Sequence, residues 1–214
     1  MPREIELKLA VPDAALAAVA AWLDAHGEAR GETTLLNVYL DTPARDLARQ
    51  RAALRLRQKD NQTGSQWLQT LKTAGSSQGG LASRNEWECE VAGEAIELSR
   101  FPDDARAVLA PLAGQLAPVF RTDFVRRTWI VTQDGARIEA ALDTGTITAP
   151  GQARTETIQE LELEWLPGED GDDSPLAEAA LRAFAARLAH VAPLTPSDLS
   201  KAARGYRLTG GSLS

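Results

Sequence analysis

The chain has 214 residues, a net charge of −7 and 43% hydrophobic residues, enough for a sizeable core in one large domain or two small ones. The acidic balance excludes a broad phosphate-binding surface of the kind nucleic acids need. No apolar run approaches the roughly 20 residues of a membrane span, and the N-terminus lacks a basic start followed by an apolar stretch, so the expected compartment is the cytoplasm.

REIELKLA opens the chain with strict alternation: Ile5, Leu7 and Leu9 on one side, Glu4, Glu6 and Lys8 on the other. That period predicts a β-strand with one apolar and one charged face. Pro12 to Gly27 reads as a helix with Leu16, Val19, Ala20 and Leu23 on its buried stripe. LLNVYLD (35–41) is strand-like, and TPARDLARQ (42–50) predicts a short helix. ALRLRQ (53–58), the polar turn KDNQTGS and QWLQTLKTA (66–74) form a hairpin, followed by GSSQGG (75–80) as a flexible link.

SRNEWECEV (83–91) alternates again. A helix is expected around Asp103 to Leu112, then strands over 119–132, 137–148 and 157–166, the first two joined by a tight turn at Asp134-Gly135. The acidic loop GEDGDD (168–173) reads as solvated linker. Ser174-Pro175 then caps and opens a helix running to about His190. A short helix around SDLSKAARGY ends the fold, and residues 209–214 read as a flexible tail. Seven or eight antiparallel strands with inserted helices predict an α+β domain whose sheet closes on itself.

Charge falls on alternate positions in nearly every strand, and most of these faces are mainly acidic or mainly basic. Arg55 and Arg57 oppose Leu54 and Leu56; Thr70 and Lys72 oppose Trp67 and Leu71. Arg84, Glu86, Glu88 and Glu90 oppose Trp87, Cys89 and Val91. Glu139 and Asp143 share a face, as do Glu160, Glu162 and Glu164. Two carboxylates about 4 Å apart repel by about 4 kcal/mol at an effective dielectric of 20, so a converging group of them needs a cation. Ligands that are all oxygen favour Mg²⁺ or Mn²⁺ over zinc. Arginine and lysine supply the complementary donors for anionic oxygens. Only four of the 23 basic residues are lysine, Lys8, Lys59, Lys72 and Lys201, so a lysine retained against that bias marks a place that needs a compact ammonium.

Taken in order, E-x-E-x-K at Glu4, Glu6 and Lys8, then LRLR, T-x-K, R-x-E, the arginine of DFVRRTW, ALD, ELELE and LSKAARGY resemble the CYTH family of triphosphate tunnel metalloenzymes. Within that family the bacterial inorganic triphosphatases are similar, above all in TDFVRRTW and LSKAARGYRL. The likeness spans Glu4 to about Leu208 and implies one domain over residues 1–208. It implies a closed eight-stranded antiparallel β-barrel, an α+β fold, whose lumen hydrolyses a linear triphosphate, inorganic tripolyphosphate first, with Mg²⁺ or Mn²⁺.

By motif, Glu4, Glu6, Asp143, Glu160 and Glu162 would hold metal, with Glu4, Glu6 and Glu162 also catalytic. Lys8, Arg55, Arg57, Lys72, Arg84, Arg126 and Lys201 would hold phosphate oxygens, and Arg204 would assist. Arg84 and Arg204 read equally well as surface ion-pair partners, and Glu139 and Glu164 as solvated acids at the tunnel mouth. Glu86 alone of the acidic run at 86–90 is placed inside, whereas Arg121 and Arg127 point outward by parity. The five tryptophans and Cys89 read as packing, and His26 and His190 as surface residues. Thiamine triphosphate hydrolysis, class IV adenylyl cyclisation and polyphosphate binding without hydrolysis are the alternatives. No nucleic-acid or membrane partner is expected, and the resemblance implies a C-terminal CHAD domain in a longer parent chain, with the tail as truncated linker.

Overall fold

Apolar side chains on alternate positions make one face of each strand a packing surface, and here that surface turns outward. A computed structural model describes residues 3–61, 64–73, 75–167 and 174–211. The described residues form β1 (Arg3–Ala10), β2 (Glu28–Asp41), β3 (Ala53–Asn61), β4 (Gly64–Lys72), β5 (Ser76–Gln78), β6 (Leu81–Val91), β7 (Ala117–Gln133), β8 (Ala136–Thr148), β9 (Glu156–Leu166) and β10 (Thr195–Pro196). Helices are α1 (Leu16–His26), α2 (Asp46–Arg49), α3 (Asp103–Leu109), α4 (Ser174–Leu188) and α5 (Lys201–Leu208).

Eight strands close into a barrel in the order β1, β9, β8, β7, β2, β3, β4, β6, and β6 returns to β1 with Glu4 opposite Arg84. Neighbours are antiparallel throughout. Closure leaves no long exposed edge. β5 and β10 are short additions beside β6 and β1.

Ile5, Leu7, Leu9, Leu161 and Leu163 pack outside the barrel against Val19 and Leu23 of α1 and Leu181 and Phe184 of α4. A second outer cluster joins Leu54 and Leu71 to Leu47 of α2 and Ala105 and Leu109 of α3. The third cluster plugs one end of the barrel: Leu35, Tyr39, Phe120, Phe124 and Ile147 pack against Ala202 and Tyr206 of α5. Apolar layers thus surround the barrel and seal one end, so the charged faces line its interior.

Some elements depart from the sequence reading. β2 starts at Glu28, seven residues before the expected strand, because the exposed, non-alternating EARGETT is held by pairing with β7 from Glu28↔Ile130 to Thr34↔Val125. GSSQGG is not a free link: it contains β5, and Asp198 accepts hydrogen bonds from Gly79 N (3.2 Å), Gly80 N (2.9 Å) and Ser77 Oγ (2.9 Å). The Asp134-Gly135 turn has φ of 52° and 82°, as a two-residue hairpin with the matching twist requires. The helix read from Pro12 begins as a 3-10 turn at Asp13–Ala15. The GEDGDD loop, the capping side chains at 174–175, residues 62–63 of the turn and residues 212–214 of the tail lie outside the described residues. No described helix is long and apolar enough to cross a membrane.

Candidate active site

Registers across β8 and β9 set Asp143 opposite Glu160, and across β9 and β1 set Glu162 opposite Lys8. Asp143, Glu160 and Glu162 thereby converge, with one oxygen of each within 4.8 Å of the others. Lys201, the first residue of α5, reaches into this group: its Nζ lies 2.7 Å from Asp143 and 3.1 Å from Glu162, and it also bonds Glu160. Arg126 grips Asp143 with two 2.7 Å hydrogen bonds and donates to Glu162 as well. Burial alone would lower the Lys201 ammonium, yet Asp143, Glu160 and Glu162 together raise it. Burial would likewise raise Glu162, but Lys201, Lys8 and Arg126 hold it well below the usual carboxylate range. Each acid of the group has a cation against it, as buried charges require.

Glu4 and Glu6 stand one step away, across Lys8 and Arg84. Lys8 lies 3.5 Å from both Glu6 and Glu162, so it joins the two acid groups. Arg84 bridges Glu4 (3.2 Å) and Glu6. Lys72 lies 3.0 Å from Glu4 and 2.7 Å from Glu86. Glu6 and Lys8 are 3% and 4% exposed, so the opening strand's charged face is interior and not a wet outer surface.

The opposite wall is basic. Along β3, Arg55, Arg57 and Lys59 face the cavity. Arg55 donates to Thr70 (3.0 Å) and Glu88 (3.2 Å), while its Nε is buried without a hydrogen-bond partner. Arg57 donates from Nε to Asn37 Oδ1 at 2.6 Å, and among the described residues neither Arg57 nor Lys59 has an ion-pair partner. Burial, then Arg55 and Arg126, push the Arg57 guanidinium down to about 9. Tunnel cations such as Lys8, Lys72, Arg84, Arg126 and Lys201 shift the other way because carboxylates face them.

A cavity of about 640 Å³ runs between these walls, a typical volume for a small-molecule site. Glu4, Lys8, Arg55, Arg57, Lys72, Arg84, Arg126, Glu162 and Lys201 border it directly. Glu6, Asp143 and Glu160 are buried just behind that surface. Arg204 is apart: it pairs with Glu156 and Glu160, each at 3.2 Å, and does not border the cavity. Arg127 and Arg121 pair outward with Asp24 and Asp123, as their parity predicts.

Residues beyond the motif set also face the cavity. Glu88 joins Glu86 inside, correcting the placement of Glu86 alone; it accepts from Thr70 (2.8 Å) as well as from Arg55. Glu139 and Glu164 border the cavity too, and burial with the neighbouring charges of Glu4 and Glu139 raises Glu164 to about 8. Trp165 packs against the outer apolar cluster, as read, and also borders the cavity. Lys59 is the one lysine outside the motif set, and its signal was in the sequence: it shares parity with Arg55 and Arg57 but lies past the end of the expected strand. Asn37 had a weaker one, an amide at the inward position of an otherwise apolar run.

A family model described as the CYTH domain matches residues 2–206. An inorganic triphosphatase of Haemophilus influenzae is 33% identical over 97% of this chain and 55% of its own length, so the chain spans about half of that relative. In structure, a Hippeastrum protein named for adenylyl cyclase and described as having a dominant triphosphatase activity superposes with TM-score 0.65 at 21% identity, covering 97% of this chain and 96% of its own. A Pyrococcus horikoshii protein gives 0.60 at 18%, covering 92% and 94%. These last two likenesses concern the fold. With the ordered motifs on the inner faces of one closed barrel, the chain belongs to the CYTH domain family.

Proposed function

We propose that this chain hydrolyses inorganic triphosphate to pyrophosphate and phosphate inside the barrel, with Mg²⁺ or Mn²⁺ bound. The observation that carries this reading is the division of one enclosed cavity into a convergent carboxylate group and a basic wall with unengaged donors on Arg55, Arg57 and Lys59. Asp143, Glu160 and Glu162 fit a hard divalent cation: three buried oxygen donors within 4.8 Å, with no nitrogen or sulfur among them. Glu6 adjoins this group through Lys8, and Glu4 adjoins Glu6 through Arg84; both would join the set with those cations turned to substrate. When bound, the metal supplies positive charge on the phosphoryl oxygens and a more acidic water.

The chain's own residues do the positioning. Phosphoryl transfer needs in-line alignment and neutralisation of charge spreading over the transferred group. Arg55, Arg57 and Lys72 on one side, and Lys8, Arg84, Arg126 and Lys201 on the other, bind the anionic oxygens. Water's oxygen bonds to the terminal phosphorus as the bridging P–O bond breaks and pyrophosphate leaves. Glu162 or Glu6 takes the water's proton. Arg204 supports Glu160 from behind instead of meeting substrate.

Wild-type protein should release phosphate from tripolyphosphate with Mg²⁺ or Mn²⁺ and lose that activity in EDTA. Glu4→Gln, Glu6→Gln and Glu162→Gln should each cut turnover by at least a hundredfold; near-normal release by all three would sink the assignment. Trp165 on the cavity wall favours one second reading, an organic triphosphate whose ring stacks there. Thiamine triphosphate and ATP, with the ATP product checked for cyclisation, are the comparison substrates. Metal-dependent binding of polyphosphate without phosphate release would point to a binding module instead.

A further inference from the structure

Arg57 is held differently from the cations that stand against the cavity's carboxylates. The arginines and lysines at 8, 55, 72, 84, 126 and 201 each touch a carboxylate, whereas Arg57, like Arg51 and Lys59 at the cavity's border, makes no ion pair among the described residues, and its hydrogen-bond partner is an uncharged amide, Asn37. Asn37 is fully buried in the middle of β2, directly opposite Arg57 on β3 and Thr122 on β7. Its Nδ2 donates to two main-chain carbonyls, Thr122 O and Leu35 O (3.3 Å). With both amide hydrogens engaged, the side chain cannot flip, and Oδ1 must face Arg57 Nε, 2.6 Å away.

The consequence for Arg57 is geometric. A guanidinium fixed through Nε presents its two terminal nitrogens as a fork, the arrangement that matches two oxygens of one phosphoryl group. The Phe124 ring lies 5.9 Å from the guanidinium carbon and limits motion on one side. A carboxylate in place of Asn37 would also orient the fork but would neutralise it, and substrate would then compete with a built-in anion. The neighbours Arg55 and Arg126 add repulsion that a bound anion relieves.

We infer that Asn37 is a positioning residue for substrate binding: it orients Arg57 toward a phosphoryl group of the triphosphate while leaving its charge uncompensated. This rests on the triphosphate reading above. Asn37 does not touch substrate and acts through Arg57.

A double-mutant cycle tests it, with Asn37→Ala, Arg57→Ala and the double variant measured for the KM and kcat of tripolyphosphate hydrolysis and for tripolyphosphate affinity by calorimetry. Asn37→Ala should raise KM and weaken affinity about tenfold, with kcat changed less than threefold. In the Arg57→Ala background the same substitution should change KM and affinity less than twofold. A brace between β2 and β7 would lower the thermal midpoint equally in both backgrounds, so the loss of the KM effect is what a structural role does not produce. Equal KM and affinity costs in both backgrounds would overturn the inference while leaving the triphosphate reading intact. A wild-type protein that neither binds nor hydrolyses tripolyphosphate would overturn both. Should Asn37→Ala fail to fold, Asn37→Ser carries the same comparison.

Discussion

Lys59 lies two residues beyond Arg57 on the inner face of β3 and, among the described residues, makes no ion pair. A partly exposed ammonium that meets substrate and transition state alike contributes to binding but not to the chemical step. Lys59→Ala should therefore raise KM for tripolyphosphate about fivefold, near 1 kcal/mol, with kcat unchanged, as read from steady-state phosphate release. Parity in the sequence was enough to place Glu4, Glu6, Arg55, Arg57, Asp143, Glu160 and Glu162 on the charged sides of their strands, because period two allows only two sides; that those sides face inward was implied by the family resemblance. It was not enough for Glu88. Acid next to phosphate looked unfavourable until the fold brought Arg55 and Thr70 across the ladder to compensate it.

Among the elements, α5 decides how the acid group is closed. Its glycine is required by contact: a Cβ at Gly205 would fall 2.1 Å from the Phe120 ring. Tyr206 donates to Asp41 at 2.8 Å, and that fully buried carboxylate also accepts from Thr42 N, Leu47 N and Ala48 N at 2.7 to 3.1 Å. One acid thus ties α2 to α5. Tyr206→Phe leaves Asp41 short of a donor and should cost about 1–3 kcal/mol in urea unfolding. Gly205→Ala should be worse and should lower activity too, because it displaces the helix that carries Lys201 into the acids. A helix around SDLSKAARGY was legible in the sequence, whereas its start at Lys201 behind the Ser200 cap was not. Its burial against Phe120 was not, since nothing local says which strands receive it.

For the whole molecule, Asp198 joins the segment before α5 to the β5–β6 turn, and its hydrogen bonds from Gly80, Ser77 and Gly79 lower its pKa from the ordinary 3.8. The unfolded chain therefore binds its proton at higher pH than the folded one does. The stabilisation is complete above about pH 4 and is lost as pH falls through the lower folded value. Asp198→Ala should reduce stability at pH 6, and its cost should shrink as pH falls below 3.8 in urea unfolding; a cost independent of pH would contradict this. What the sequence determined alone is the period: alternating strands, each with its charges on one face, and a turn at Asp134-Gly135 follow from side-chain direction and backbone preference. Which faces meet was decided only by closure. Pairing β6 with β1 and β8 with β9 brings residues up to 80 positions apart to within hydrogen-bond reach, as in Arg84 with Glu4. Local periodicity fixes the side of a strand but not its partner, so the charged faces become a walled site only when the sheet returns to its first strand.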